Sequence, residues 1–143
     1  MTQRRMLTGE LAALAGVPAS TVRYYERRGL LPDPGRTNSG YRAYPASALE
    51  TLAFIKRASD LGFSLRETKE LLDARDEPDA CGEMCSLAEH KVKELAAAAR
   101  NAVKAQRVLA DLLSKRKPRS RSARSCPVGR HLEGNDDSPR NRR

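Results

Sequence analysis

The chain has 143 residues with two Phe and no Trp, which allows one small core and excludes a large single globule. Its formal net charge is +9, from 27 Lys and Arg against 18 Asp and Glu. The positive excess lies in residues 1–44 and 114–143, whereas residues 45–113 carry slightly more acids than bases. A polyanion is the expected partner, and charge alone leaves DNA, RNA and an anionic membrane surface open.

Several other classes of protein are excluded by pattern. No segment reaches the roughly 18 apolar residues that cross a bilayer, and the first residues lack an apolar signal core, so we predict a cytoplasmic protein without a membrane partner. No nucleotide loop, catalytic triad or carboxylate pair is recognisable, so we predict no enzyme. Three cysteines in a reducing compartment favour metal binding, redox sensing or plain burial over a disulfide framework.

Two short helices are predicted first. Thr8 can cap the first helix, which Gly16-Val17-Pro18 then ends. The second helix begins at Ala19 or Ser20 and ends at Gly29. This order is typical of a helix-turn-helix. The second helix is free to present a basic and aromatic face to a DNA groove, although a solvated basic face is the alternative: Arg23, Tyr24, Arg27 and Arg28.

A small wing follows the second helix. Thr37-Asn38-Ser39-Gly40 has the composition of a hairpin tip, and Tyr41-Arg42-Ala43-Tyr44 is the returning strand. A third helix starts near Pro45 and stops at Gly62, and a capping box from Ser64 to Glu67 starts a fourth helix. Four helices and the wing can share one core.

Five local patterns in this order resemble the mercury-resistance regulator (MerR) family over about residues 6–113. They are Gly16-Val17-Pro18, Thr21-Val22-Arg23-Tyr24-Tyr25-Glu26, Gly29-Leu30-Leu31, Gly40-Tyr41-Arg42-Ala43-Tyr44 and Leu61-Gly62-Phe63-Ser64-Leu65-Arg66-Glu67. The resemblance implies a DNA-binding transcriptional regulator and a set of operator contacts on the second helix and the wing. The predicted contacts are Thr21, Arg23, Tyr24, Tyr25, Arg27, Arg36, Asn38, Tyr41 and Arg42.

A long helix with a heptad seam occupies the next part of the chain. The seam spacings alternate between four and three residues through Cys81, Cys85, Ala88, Val92, Leu95, Ala99, Ala102, Gln106, Leu109 and Leu113. Such a narrow stripe of small residues favours close pairing of two helices, so we predict a homodimer. A helix folded back on its own head is the alternative. The family resemblance favours an antiparallel pair, which we centre near Ala96 to Ala99.

The cysteines form the predicted sensing site. Antiparallel pairing brings Cys81 and Cys85 of one chain near Cys126 of the other, and thiolates favour soft cations. A helix N-terminus would also lower the pKa of Cys81 or Cys85. Cys81 with Ser86-Leu87-Ala88-Glu89-His90-Lys91 resembles the divalent-metal sensors of the family, and Ser125-Cys126-Pro127 resembles the end of their metal-binding loop.

One position departs from the mercury sensors of that family. They carry a further loop cysteine about nine positions before Cys126, where this chain has Lys117. We therefore predict that Cys85 replaces it, giving a site of Cys81 and Cys85 from one subunit and Cys126 from its partner. His90 and His131 remain alternative donors. The predicted ion is Hg(II), with Zn(II), Cd(II) and Pb(II) as alternatives.

The sequence thus predicts a mainly α fold, with a winged helix-turn-helix head followed by a long antiparallel coiled-coil dimerisation helix. The expected segments are a DNA-binding domain at 6–75, a dimerisation helix at 79–113, a metal-binding loop at 114–132 and a disordered tail at 133–143. The expected function is regulation of a heavy-metal resistance operon. The resemblance implies that metal makes the regulator distort promoter DNA so that RNA polymerase can engage. A thiol redox sensor of the same fold and a purely architectural DNA-binding protein are the alternatives.

Overall fold

In a computed structural model, which describes residues 4–117, 122 and 124–135, the chain is mainly α-helical with one small antiparallel sheet. The elements in these ranges are β1 (Met6–Leu7), α1 (Thr8–Ala15), α2 (Ala19–Arg27), β2 (Gly35–Arg36), β3 (Arg42–Tyr44), α3 (Ser47–Asp60), α4 (Leu65–Arg75), α5 (Cys81–Ser114) and α6 (Pro127–Leu132). A winged helix-turn-helix head followed by one long helix confirms the predicted fold class. The chain divides into two compact units, of which the first ends at Val92 and the second begins at Lys93.

The wing has the predicted turn. Gly40, at φ 82°, donates its N–H to the Thr37 carbonyl at 2.9 Å, and Thr37 donates to the Tyr41 carbonyl at 2.8 Å. The left-handed φ explains why glycine stands at this position. The sheet has the order β1-β3-β2, so the central strand β3 pairs with the wing strand β2 and also with β1. Strand β1 was not predicted from the sequence.

The head is built around one core. Val22, Leu11 and Tyr44 are completely buried, and they bring α2, α1 and the central strand together. The other buried members are Met6, Ala12, Leu30, Leu31, Ala48, Leu52, Ile55 and Leu72. Because α2 and β3 contribute to the same core, the helix and the wing have fixed positions relative to each other.

Helix boundaries follow local signals. In the capping box of α4, Glu67 donates its N–H to Ser64 Oγ at 3.3 Å, and Ser64 donates its N–H to Glu67 Oε2 at 2.7 Å. The prediction that Thr8 caps α1 is wrong by one residue. Thr8 is already helical, and the N-cap is Leu7, which donates its N–H to Glu10 Oε2 at 3.0 Å. At the start of α1, the Glu10 carboxylate thus accepts a backbone N–H, in place of the threonine hydroxyl that was predicted to cap the helix.

Two features lie beyond the head. Helix α5 covers 34 residues, and the predicted seam is largely exposed, with Val92 at 66% and Leu113 at 57%. The short helix α6 lies in the segment expected to be a loop.

Residues 118–121 and 123 of the predicted metal-binding loop, and 136–143 of the predicted disordered tail, are outside the described ranges. Among the described helices, none combines the length and apolar character needed to span a membrane.

Candidate DNA-binding surface and thiol site

Helix α2 has one buried and one exposed face. Val22 is 0% exposed and anchors the helix in the core. Arg23, Tyr24 and Arg27 of the predicted contact set are exposed on the other side. Thr21 is half-buried, and Tyr25 is half-buried against the core. Helix α2 therefore presents a short basic and aromatic surface on a rigid support.

Aromatic contacts order part of that surface. The ring centroids of Tyr24 and Tyr25 are 5.8 Å apart, and the Arg28 guanidinium lies 5.5 Å from the Tyr24 ring centroid. A cation over an aromatic face is held by the ring quadrupole, so Arg28 limits the motion of Tyr24. The exposed tyrosine is thus held between a neighbouring ring and a cation.

The wing carries the remaining predicted contacts. Arg36 donates from Nη1 to the Gly40 carbonyl at 2.8 Å and so braces the turn. Asn38 is exposed at the tip, and Tyr41 is 67% exposed just after it. An exposed tyrosine and asparagine on a braced turn offer hydroxyl and amide groups to a phosphate backbone.

Four of the nine predicted contacts line one concave surface of about 580 Å³: Arg23, Arg36, Tyr41 and Arg42. We call it the arginine groove. Its other lining residues are Leu7, Thr8, Gly9, Glu10 and Gly40. Three guanidinium groups in one groove attract a polyanion and supply donors in fixed forks. The other five predicted residues do not line this groove, and Tyr24 borders a separate concavity of about 440 Å³ beside the start of α4.

Sequence reasoning missed Glu26, the only acidic residue of α2. Its carboxylate accepts hydrogen bonds from the Tyr44 hydroxyl at 2.5 Å and from Arg42 Nε, with the shorter nitrogen–oxygen distance at 3.2 Å. The sequence contained a signal for Glu26, because it is a single acid within a basic helix, and a carboxylate does not help such a helix to bind a polyanion. Arg42 therefore forms an ion pair with Glu26 and also lines the arginine groove.

The thiol pair of the first unit lies at the start of α5. Cys81 is the first residue of the helix and Cys85 follows one turn later, and both side chains are exposed. Their sulfur atoms are 3.9 Å apart. Residues four apart share one helix face, so the backbone itself brings these two soft donor atoms together.

The predicted lowering of a thiol pKa is wrong for Cys85. Its pKa is raised, first by the hydrogen bond with Cys81 and then by the electrostatic interaction with Cys81, with smaller contributions from desolvation and Glu89. A sulfur at contact distance outweighs the partial charge of a helix terminus, which acts over a longer distance.

Cys126, in the second unit, has the lowered pKa instead. It precedes Pro127 and is half-exposed. The backbone N–H groups of Gly129 and then Val128 stabilise its thiolate, desolvation opposes them, and Arg116 and Arg130 add smaller favourable contributions. A lowered pKa favours the thiolate form of Cys126. His131 is exposed on α6, and His90 is exposed on α5.

A winged helix-turn-helix head with an arginine groove between helix and wing defines a DNA-binding protein. The family profile described as "MerR HTH family regulatory protein" matches residues 6–75, and a second profile, "MerR, DNA binding", matches residues 49–112. The chain belongs to the MerR family of regulatory proteins, as the sequence resemblance predicted. Its role is accordingly DNA-binding regulation and not enzymatic catalysis.

Individual proteins extend this comparison. The chain is 39% identical over 121 residues to a mercuric resistance operon regulatory protein from Bacillus cereus, covering 84% of this chain and 91% of the relative. The solved structure of the regulator PbrR691 from Ralstonia metallidurans CH34 in complex with lead(II) matches with a TM-score of 0.76 at 33% identity, covering 89% of this chain and 98% of that one. A Bacillus megaterium MB1 MerR in complex with mercury(II) matches with a TM-score of 0.61 at 31% identity, covering 85% and 94%.

Proposed function

We propose that this chain is a metal-responsive transcriptional regulator of a heavy-metal resistance operon, with Hg(II) as its effector. The mercuric resistance relative and the lead-bound and mercury-bound neighbours support a soft ion. Thiolate sulfur, the donor type that the sequence supplies, suits a soft ion, and the mercuric resistance relative favours Hg(II) over Pb(II), Zn(II) and Cd(II). The observation that carries the proposal is the exposed thiol pair on α5.

The separation of the two sulfurs fits an ion with more than two ligands. With metal–sulfur bonds of about 2.3 Å, a linear S–metal–S unit would need sulfurs about 4.6 Å apart. The sulfur atoms of Cys81 and Cys85 are closer, at 3.9 Å, so these two thiolates would hold an ion with a place left for a third ligand. We assign that place to Cys126 of a partner subunit. The bound ion would link thiolates of two chains.

The same geometry disfavours a redox switch through a Cys81–Cys85 disulfide. Residues four apart on a helix have Cβ atoms about 5–6 Å apart, whereas a disulfide needs about 3.8 Å. Closing that bond would require the first turn of α5 to distort. Cys81 and Cys85 would hold a metal ion without that distortion, which favours metal sensing over thiol oxidation.

Pairing with a second copy of the chain is part of the proposal. The seam leaves Val92, Leu95, Leu109 and Leu113 between 48% and 66% exposed in a single chain. Apolar side chains repeating at heptad spacing along a helix favour burial against a helix of the same pattern. We propose an antiparallel homodimer, in which the start of one α5 lies beside the end of the other.

The dimer would act on double-stranded promoter DNA in the cytoplasm. The nine predicted contacts on α2 and the wing would hold the operator, and a two-fold pair of heads suits a two-fold-symmetric site. An effector shifts a conformational equilibrium only by binding one state more tightly. Metal at the shared thiol site would favour the dimer conformation that distorts the promoter and allows RNA polymerase to engage it.

A promoter reporter with single substitutions tests this function. Cys81→Ser, Cys85→Ser and Cys126→Ser should each abolish the metal response and leave operator binding unchanged. Ser86→Ala is the matched control, because Ser86 follows Cys85 and its hydroxyl donates to the Gly82 carbonyl at 3.0 Å. The panel should contain Hg(II), Pb(II), Cd(II) and Zn(II), with hydrogen peroxide as the oxidant.

Each result has a distinct meaning. A fully responsive Cys85→Ser protein removes Cys85 from the site. A response to peroxide but to no metal would replace metal sensing by thiol oxidation. A reporter unaffected by every agent would leave an architectural DNA-binding protein whose thiols have no regulatory role.

A further inference from the structure

Glu26 occupies an unusual place for a carboxylate in a DNA-binding surface. It belongs to α2, near Arg27 and Arg28, yet its side chain is only 19% exposed. It faces β3 instead of solvent and accepts hydrogen bonds from Tyr44 and Arg42. A carboxylate paired with Arg42, which lines the arginine groove, weakens the attraction of that groove for a polyanion.

Tyr44 connects Glu26 to the core. The Tyr44 side chain is completely buried, and the residue pairs with Met6 in the sheet. Burial, followed by the hydrogen bond and negative charge of Glu26, raises the pKa of Tyr44 to about 12. The phenol is therefore a neutral donor at physiological pH, and its 2.5 Å bond to a carboxylate is charge-assisted. Glu26 is fixed through a rigid aromatic ring.

The fixed carboxylate in turn restricts Arg42. An arginine has five N–H donors, and Arg42 uses the one on Nε for Glu26. Its other four donors are on the two terminal nitrogens, and Arg42 lines the arginine groove with Arg23 and Arg36. A long side chain held at Nε loses less rotamer freedom when its terminal nitrogens bind a ligand.

We propose that Glu26 is a positioning residue for operator binding. Its carboxylate holds the Arg42 guanidinium ready for a backbone phosphate, and it fixes the wing relative to α2 through Tyr44. It need not touch DNA. This role requires only that the head binds DNA, and it is independent of which metal, if any, the protein senses.

The substitution Glu26→Gln separates positioning from charge. It removes one negative charge beside the groove, so electrostatics alone predicts tighter binding to any DNA. Glutamine can still accept the Tyr44 hydrogen bond but attracts Arg42 far less. If Glu26 positions Arg42, the substitution should weaken operator affinity about tenfold, the effect expected from losing one charge-assisted hydrogen bond. Non-specific affinity should be unchanged or higher. The slope of log affinity against log salt for the operator should fall by about 0.9.

Glu50→Gln is the matched control, because Glu50 is an exposed acid on α3 of the same head. It makes the same change in charge on a different helix and should leave the ratio of operator to non-specific affinity unchanged. Both affinities are measured by fluorescence anisotropy over a salt series, with thermal unfolding recorded for each variant. In an Arg42→Met background, Glu26→Gln should have no further effect on the ratio.

Two results would overturn the positioning role. One is a Glu26→Gln protein that binds operator as tightly as the parent or more tightly. The other is an undiminished effect of Glu26→Gln when Arg42 is already Met. Should Glu26→Gln unfold at the assay temperature, Glu26→Asp replaces it, since aspartate keeps the charge but is one carbon shorter. The proposal then requires the same decrease in the ratio of operator to non-specific affinity, and an unchanged ratio would reject it.

Discussion

The ion pair between Lys91 and Glu67 connects the first part of α5 to the head, and its removal has a calculable effect. Lys91 Nζ lies 2.9 Å from Glu67 Oε2, and the two side chains are only 10% and 18% exposed. Lys91 also lies 5.6 Å from the centroid of the Phe63 ring. We expect Lys91→Met, which keeps the apolar stem and deletes the charge, to destabilise the protein.

The pKa of Glu67 sets the scale of that loss. Lys91, followed by the hydrogen bond from the Ser64 N–H, lowers the pKa of Glu67 from 4.5 to about 2. A difference of this size corresponds to at most about 3.4 kcal/mol. Ser64 accounts for part of it, and solvent that reaches the carboxylate screens the rest, so we expect about 1–2 kcal/mol from Lys91.

Urea unfolding of a double-mutant cycle measures this interaction. Glu67→Gln suits the cycle, because glutamine also serves in a capping box and leaves the bond to Ser64 available. Lys69→Met with Asp73→Asn provides the matched control on the same helix. That pair is as close, at 3.0 Å, but its side chains are 44% and 67% exposed. The expected coupling is about 1–2 kcal/mol for Lys91 with Glu67 and below about 0.5 kcal/mol for the control.

The pH dependence provides an independent check of sign. Because the pKa of Glu67 is lowered by folding, its stabilisation is complete above pH 4.5 and is lost as the pH falls towards about 2. Glu67→Gln should lack this component. Equal coupling in the two pairs, or the same acid dependence in wild type and Glu67→Gln, would refute the reasoning from burial and proximity.

Three further expectations concern the head and the dimer. Because folding raises the pKa of Tyr44 to about 12, the stability of the protein should fall as the pH rises from 10 to about 12. Tyr44→Phe should abolish that fall, which tyrosinate absorbance and urea unfolding measure. Leu109→Asp should give monomers by sedimentation, whereas Val108→Asp, exposed but outside the seam, should not. Spin labels at Glu83→Cys in a cysteine-free chain should lie roughly 44 Å apart in an antiparallel dimer but under about 20 Å in a parallel one.

Local signals were sufficient for most of the fold. Gly40 and Gly62 adopt the left-handed conformations that their turns required, and the Ser64 capping box begins α4 as predicted. Strand β1 was missed because it has two residues and depends on pairing with β3, a contact remote in sequence. Helix α6 was missed although it begins with Pro127, a recognised signal for a helix start, since the polar composition around it indicated no packed element.

The candidate thiol site shows where reasoning from the sequence stops. Helical spacing correctly places Cys81 beside Cys85, because four residues complete about one turn. The rule that a helix N-terminus favours a thiolate gave the wrong sign for Cys85, since its neighbouring sulfur dominates, yet the same rule describes Cys126, whose pKa falls beside the N–H groups of Gly129 and Val128. The direction of each pKa shift depends on the atom nearest to the sulfur. For Cys85 in the long helix α5, helical periodicity identifies that atom as the Cys81 sulfur. For Cys126, the nearest groups are backbone N–H groups, whose position depends on a backbone conformation that the composition did not predict.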